Sequence, residues 1–470
     1  MSEPPRIVPK PAFVDAVEQA LGRARIFDSR ALHPHVLSAL KVVVVTPLLA
    51  LTLKQIDVLP GGLTIAVLLF MLFAVLDGLD GVVARVRGLE SEFGRVFDRV
   101  CDLPLLGLIA WFAWTSLPAS ETVSTFGALI AAKLALDVVL LVLFAIKRTT
   151  TENRIRTSLS DATLLALLLL SQGAGAPLRS PAAPDLVSTE VVQALLVVNI
   201  AFSAFIGLVN AGALKKRFIA DGLSMMNALC GAFSIALAMD GQPAWCLLLL
   251  LVGAGFDGLD GAAARKWGGT RFGVLADDIA DGISYALAPA VAVAVVVAGR
   301  AGVVIGFAYA LFTIGRLVFF TLNKGSADDD PRFFRGVPST IGGVVALCAA
   351  ILFPDEPALV GFLCGVAVVL MVGFDSAYRH LGRVLFGLRR EKQLIALSAA
   401  IVLLASSVLL GPRVAAGILL GGSLLYGFLP QIARFQQIIS KQRSALQAAG
   451  VTTTTAPSSA VSSDSKEIPK

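Results

Sequence analysis

An all-α polytopic membrane protein built from two tandem helical bundles is the fold class this sequence predicts, and three observations carry it. Of 470 residues, 56% are apolar and 15% charged, and the mean hydropathy is +0.81. An ordinary soluble domain has roughly a quarter of its residues charged, so a soluble enzyme, a disordered chain and a nucleic-acid binder are excluded. Apolar segments long enough to cross a bilayer recur along the chain. One pattern of four aspartates occurs twice, 180 residues apart, the mark of an internal duplication.

The elements follow in order. Residues 1–36 are polar and basic, with Phe13, Val14, Val17, Ala20 and Leu21 at helical spacing. The charges that interrupt this run predict an amphipathic helix on the membrane surface rather than a signal peptide. Six spans are expected near 37–56, 62–84, 98–118, 123–146, 157–172 and 190–213, and eight more near 218–239, 243–264, 277–299, 301–323, 337–353, 356–376, 393–411 and 413–432. The Pro-, Gly- and Ala-rich stretch 173–189 reads as an outside loop. The Ser- and Thr-rich end reads as a disordered tail, 441–470. The expected domains are therefore 1–36, 37–213, 214–440 and 441–470.

The basic residues fix the orientation. With the N-terminus inside, the inside segments hold 33 Lys and Arg and the outside loops four, with Lys41 and Lys133 left within spans. Such a split follows the positive-inside rule. The net charge of +6 therefore reports topology rather than an anionic partner. The five cysteines form no C-x-x-C pair and read as small buried hydrophobes. With three histidines, a zinc site is not expected, and any metal is to be held by carboxylates.

Both copies of the aspartate pattern have the same internal spacing apart from one spacer residue. The first is Asp77, Asp80, Gly81, Ala84 and Arg85, then Gly94, Asp98 and Asp102. The second is Asp257, Asp260, Gly261, Ala264 and Arg265, then Gly273, Asp277 and Asp281. Spacings of three and four put each pair on one helix face. Four carboxylates converging at a membrane boundary repel one another unless cations neutralise them. Oxygen-only ligands suit a hard cation such as Mg²⁺, Mn²⁺ or Ca²⁺, and two ions together can clamp a pyrophosphate. The small residues Gly81, Ala84, Gly261 and Ala264 let a flat nucleotide approach the backbone, and Arg85 and Arg265 can hold phosphate charge.

Both copies resemble the CDP-alcohol phosphatidyltransferase signature, D-x-x-D-G-x-x-A-R, a spacer, then G-x-x-x-D-x-x-x-D. The resemblance implies a six-helix membrane fold for each half, the second with about two extra helices. It implies transfer of a phosphatidyl group from CDP-diacylglycerol to an alcohol, with CMP leaving, and two Mg²⁺ or Mn²⁺ ions per site. By position, Asp77, Asp80, Asp98 and Asp102, and Asp257, Asp260, Asp277 and Asp281, would be the metal ligands, with Asp102 and Asp281 as general bases. The second half further resembles the bacterial membrane-type phosphatidylserine synthases, through Asn227-Ala-Leu-Cys230-Gly231, the stretch Ala280 to Ala290, Gly315-Arg316, Phe334-Arg335-Gly336-Val337-Pro338, and Ser376 with Tyr378. This branch implies serine as acceptor for the second half, with Arg316 and Arg335 as candidate anion-binding residues.

The first half resembles the glycerol-phosphate and inositol-phosphate branches more, through Thr46-Pro47 and Phe93-Gly94, with Arg154 and Arg156 as candidate phosphate contacts, and its acceptor stays open. The partners expected are membrane lipids, with a homodimer left open, in a bacterial inner membrane with sites facing the cytoplasm. Two other readings compete: a transporter built from a duplicated bundle, and a pair in which one half only scaffolds the other. Transporter sites lie near the bilayer midplane, whereas these aspartates sit beside Arg-rich loops. The presence of all eight aspartates gives the scaffold reading nothing to stand on in the sequence.

Overall fold

The computed structural model describes residues 33–56, 58–116, 121–147, 154–170, 189–297, 299–322, 333–372, 377–379 and 412–448. The chain divides into two compact units, Met1–Ser423 and Leu424–Lys470. The first unit holds both halves of the repeat.

In the first half, α1 (Pro34–Leu40) runs through a π-turn (Lys41–Val45) into α2 (Thr46–Lys54), and together they make one crossing. Then come α3 (Gly62–Val86), α4 (Glu92–Ser116), α5 (Glu121–Lys147), α6 (Arg154–Leu170) and α7 (Thr189–Ala211). The second half repeats this with α8 (Ile219–Met239), α9 (Pro243–Trp267) and α10 (Arg271–Asp281). The last of these continues through a π-turn (Gly282–Leu287) into α11 (Ala288–Val296). α12 (Gly299–Leu322), α13 (Ser339–Leu352) and α14 (Pro357–Val372) complete it. Each half is thus six crossings or near-crossings, and α15 (Pro412–Ala448) follows.

Thirteen of the fourteen expected spans fall on a described helix; the one near 393–411 lies outside the described residues, as do the amphipathic segment before residue 33 and the linker at 173–188. Among the described residues, nine helices are long and apolar enough to cross a membrane, and the chain is an integral membrane protein. The expected tail needs one correction: α15 continues to Ala448, past the expected start at 441, because Gln, Lys, Arg, Ala and Leu there are all good helix formers.

The two π-turns have a local cause. Pro289 has no N–H for the carbonyl of Tyr285, one turn back, so the helix loosens and that carbonyl accepts instead from the Tyr309 hydroxyl at 2.9 Å. Pro47 interrupts the first crossing in the same way, and Thr46 reaches back to the Lys41 carbonyl with its N–H and, at 2.9 Å, with its hydroxyl. These bulges sit beside the aspartates, immediately after Asp281 and at Lys41.

The halves share a core. Val198, Phe202 and Ile206 of α7 pack with Leu223 and Met226 of α8 and Phe256 of α9, and the Phe202 and Phe256 rings lie 5.6 Å apart. Between membrane helices, where lipid is as apolar as these side chains, close van der Waals packing of this kind is what holds the layers together. All five cysteines are free and buried, as expected.

Candidate active sites

Each site is made where the C-terminal part of one helix meets the start of the next. Asp77 and Asp80 lie near the end of α3, and Asp98 and Asp102 in the first turns of α4. Asp257 and Asp260 lie near the end of α9, and Asp277 and Asp281 in α10. The connections are five residues (87–91) and three (268–270), so the carboxylates face one another at one end of each bundle. Carboxylate oxygens of Asp257, Asp260 and Asp277 all lie within 4.8 Å of each other, as do those of Asp77, Asp98 and Asp102.

The first crossing of each half closes its site, and here the structure adds residues that sequence reasoning missed. Ser224 of α8 donates to Asp260 at 2.7 Å, and Ser38 of α1 donates to Asp80 at the same distance. The helix N-termini match as well. Thr270 accepts from the Gly273 N–H at 2.8 Å and donates to Asp221 at 2.8 Å. Ser91 accepts from the Gly94 N–H at 2.9 Å, beside His35. Both signature glycines sit at this close approach. A Cβ on Gly94 would lie 3.0 Å from the His35 ring, and one on Gly273 would collide with Asp221.

These pairs align α1 with α8: His35 with Asp221, Ser38 with Ser224, and therefore Lys41 with Asn227. At that last position the halves differ in charge. Asn227 is fully buried, donates its side-chain amide N–H to Asp281 at 3.2 Å, and has a side-chain oxygen, Oδ1, without a hydrogen-bond donor. Lys41 is also fully buried, and its ammonium reaches all four aspartates of the first half: Asp77 at 2.6 Å, Asp98 at 2.8 Å, and Asp80 and Asp102 at 3.3 Å. The signal for both was present as a Ser-x-x-Lys and a Ser-x-x-Asn on matching helices, and as a lysine inside an apolar span, where an ionisable group is costly and therefore informative.

The remaining candidates spread more widely. A Cβ on Gly261 would meet only the Arg265 guanidinium, at 3.4 Å, so the α9 backbone is open there; Arg265 is exposed and Ala264 half-buried. Gly81 and Ala84 are half-buried on α3; Arg85 ends the same face, its side chain outside the described residues. Arg154 and Arg156 begin α6, with side chains likewise outside. Arg316 is buried on α12; its Nε donates to the Met371 carbonyl at 3.2 Å and its guanidinium lies 4.7 Å from the Phe320 ring centre. Arg335 lies on a short strand, β1 (Phe333–Arg335), which pairs antiparallel with β2 (Ala377–Arg379), Phe334 opposite Tyr378 and Arg335 opposite Ala377. Two motifs some forty residues apart in sequence are thus joined in one hairpin-like ribbon. Ser376 lies outside the described residues.

Comparison with known proteins agrees with the duplicated geometry. The family model for CDP-alcohol phosphatidyltransferases matches residues 31–205 and again 217–374. The chain is similar to the archaetidylserine synthase of Methanothermobacter thermautotrophicus, 35% identical over 129 residues, which cover 26% of this chain and 54% of that relative. It is similar to the CDP-diacylglycerol–serine O-phosphatidyltransferase of Helicobacter pylori strain J99, 27% identical over 224 residues, 46% of this chain and 92% of that relative. The phosphatidylinositol phosphate synthase of Corynebacterium glutamicum is 33% identical over 104 residues, 18% of this chain and 45% of its own length. The chain thus spans about half of the first and third of these relatives and most of the second. With the family pattern matched twice, over more than half of its residues, the chain belongs to the CDP-alcohol phosphatidyltransferase family.

Proposed function

We propose that the second half transfers the phosphatidyl group of CDP-diacylglycerol to the hydroxyl of serine, releasing CMP, in phospholipid synthesis at the cytoplasmic face of a bacterial inner membrane. The observation that carries this reading is the α9–α10 cluster: Asp257, Asp260 and Asp277 with oxygens within 4.8 Å of one another, and Asp281 on the same helix as Asp277, held by the neutral Asn227, whose buried side-chain oxygen lacks a donor. An all-oxygen donor set of this kind fits Mg²⁺ or Mn²⁺. Asp257, Asp260, Asp277 and Asp281 would hold such cations, which when bound would offset the pyrophosphate charge and stabilise the departing CMP.

The other roles belong to the chain. Gly261 and Ala264 leave room for the nucleotide against α9, and the exposed Arg265 is placed for phosphate charge. Asp281 takes the proton of the serine hydroxyl as its oxygen bonds to the β-phosphorus and the bond from that phosphorus to CMP breaks. Asn227 orients Asp281 through its amide. Arg316 and Arg335 are the candidates for the serine carboxylate. Serine as acceptor is supported by the motifs of the second half and by the two relatives above whose names carry serine. The acceptor of the first half stays open in this reading, and glycerol 3-phosphate and inositol-type alcohols are the candidates that the test includes.

The test is to give the purified chain CDP-diacylglycerol with Mn²⁺ or Mg²⁺ and offer serine, glycerol 3-phosphate, inositol or inositol phosphate. Serine-dependent CMP release with formation of phosphatidylserine is expected. Release with another acceptor and none with serine overturns the assignment.

A further inference from the structure

The two carboxylate clusters are alike in ligands and unlike in what α1 and α8 bring to them. In the first, the three N–H groups of the Lys41 ammonium are used by Asp77, Asp98 and Asp102, and the fourth carboxylate, Asp80, is bonded by Ser38. The ammonium thus stands within 3.3 Å of an oxygen of every member of the set. A Mg²⁺ or Mn²⁺ ion bound to these same four oxygens would stand about 2.0–2.2 Å from each, in the space the ammonium fills, one cation against another.

The Lys41 side chain is fully buried. Its backbone is held by the π-turn, with Thr46 bonded to its carbonyl, and Phe73 lies 5.3 Å from its Nζ. With the ammonium in place, the convergent oxygens of the first half do not fit a divalent cation, while the matching position in the second half is a neutral amide.

We infer that Lys41 is a built-in cation that replaces the divalent metal of the first half, so that this bundle performs no phosphatidyl transfer and serves as a packing scaffold for the second. Its four aspartates persist because they are the hydrogen-bonded counterions of a buried lysine. The shared core of α7 with α8 and α9 is the means by which the first bundle supports the second. This rests on the reading of the second cluster as a metal site, and the experiment separates the two.

The full chain in detergent, stripped with chelator, is titrated with Mn²⁺ and bound ions are counted by electron paramagnetic resonance. Three forms are compared: wild type, Asp257→Asn/Asp260→Asn, and Lys41→Asn. Wild type is expected to bind Mn²⁺ at one half only, the double variant to lose that binding, and Lys41→Asn to gain a second set of ions. A double variant that keeps half of the wild-type Mn²⁺ overturns the inference, and so does a wild type unchanged in count by Lys41→Asn. Wild type with no bound Mn²⁺ overturns the metal reading of the second half instead, and a gain of Mn²⁺ on Lys41→Asn then still upholds the role of Lys41. Should Lys41→Asn fail to fold, the double variant decides alone, because it leaves the first half untouched.

Discussion

Gly231→Ala is the substitution whose consequence follows most directly from the geometry. Gly231 on α8 faces the π-turn after Asp281, and a Cβ there would lie 2.8 Å from the Ser284 Cα and 2.9 Å from its N, besides colliding with Oγ. Ordinary contact begins near 3.4 Å, so the π-turn must retreat by roughly half an ångström or more, at about 1–3 kcal/mol as in other overpacked cores. Ser284 is one helical turn from Asp281, and its hydroxyl ties the turn to the Asn227 backbone carbonyl at 2.8 Å. The retreat therefore draws Asp281 away from Asn227. Misplacement on the scale of an ångström costs about 100-fold in rate, so kcat for serine-dependent CMP release should fall about 10- to 100-fold, with a lower Tm. Ser284→Ala in the same chain should not rescue it, because the obstructing Cα and N remain. Gly365→Ala on α14, where an added Cβ meets nothing within 4 Å, is the control and should match wild type or gain about 0.5–1 kcal/mol. A Gly231→Ala protein with the kcat and Tm of wild type refutes the argument.

The other predictions concern the carboxylates and their neighbours. Asp281→Asn should abolish CMP release with serine while leaving the elution volume of the chain unchanged, since a neutral amide removes the base and keeps the shape. Asn227→Lys should import the first half's arrangement into the second and lower Mn²⁺ affinity by more than about 100-fold, as counted by spin resonance, because a buried like charge next to a cation site opposes binding strongly. Ser224→Ala leaves the buried Asp260 without its 2.7 Å donor and should cost about 1.5–3 kcal/mol in thermal unfolding, the usual worth of a hydrogen bond to a charged group. Chelation by EDTA should bring CMP release to background and added Mn²⁺ or Mg²⁺ should restore it; activity that survives exhaustive chelation counts against a metal-dependent second half.

Hydropathy located the helices well, because an apolar run of some twenty residues has few other fates. The aspartate pairs were legible for a related reason: spacings of three and four put side chains on one face of any α-helix, so Asp77 with Asp80 and Asp277 with Asp281 could be placed without coordinates. The pairing of the Phe334 and Tyr378 segments was not legible in the same way, since three-residue strands have too short a pattern to show which partner they take. Ser38 and Ser224 were missed because a serine in an apolar helix carries no sign of its partner, which comes from another helix about forty residues away.

By itself, then, the sequence determined the membrane class, the duplication and the eight carboxylates, all of which depend on local periodicity and composition. Only the tertiary structure decided that Lys41 and Asn227 occupy the same place. The first crossing of each half approaches the aspartates from outside their helix pair, so the three-residue step from Ser38 to Lys41 and from Ser224 to Asn227 could be read as entering the cluster only once the helices were seen to pack there. That one position separates two sites whose signatures are otherwise the same, a fixed ammonium in one and a neutral amide beside four carboxylates in the other.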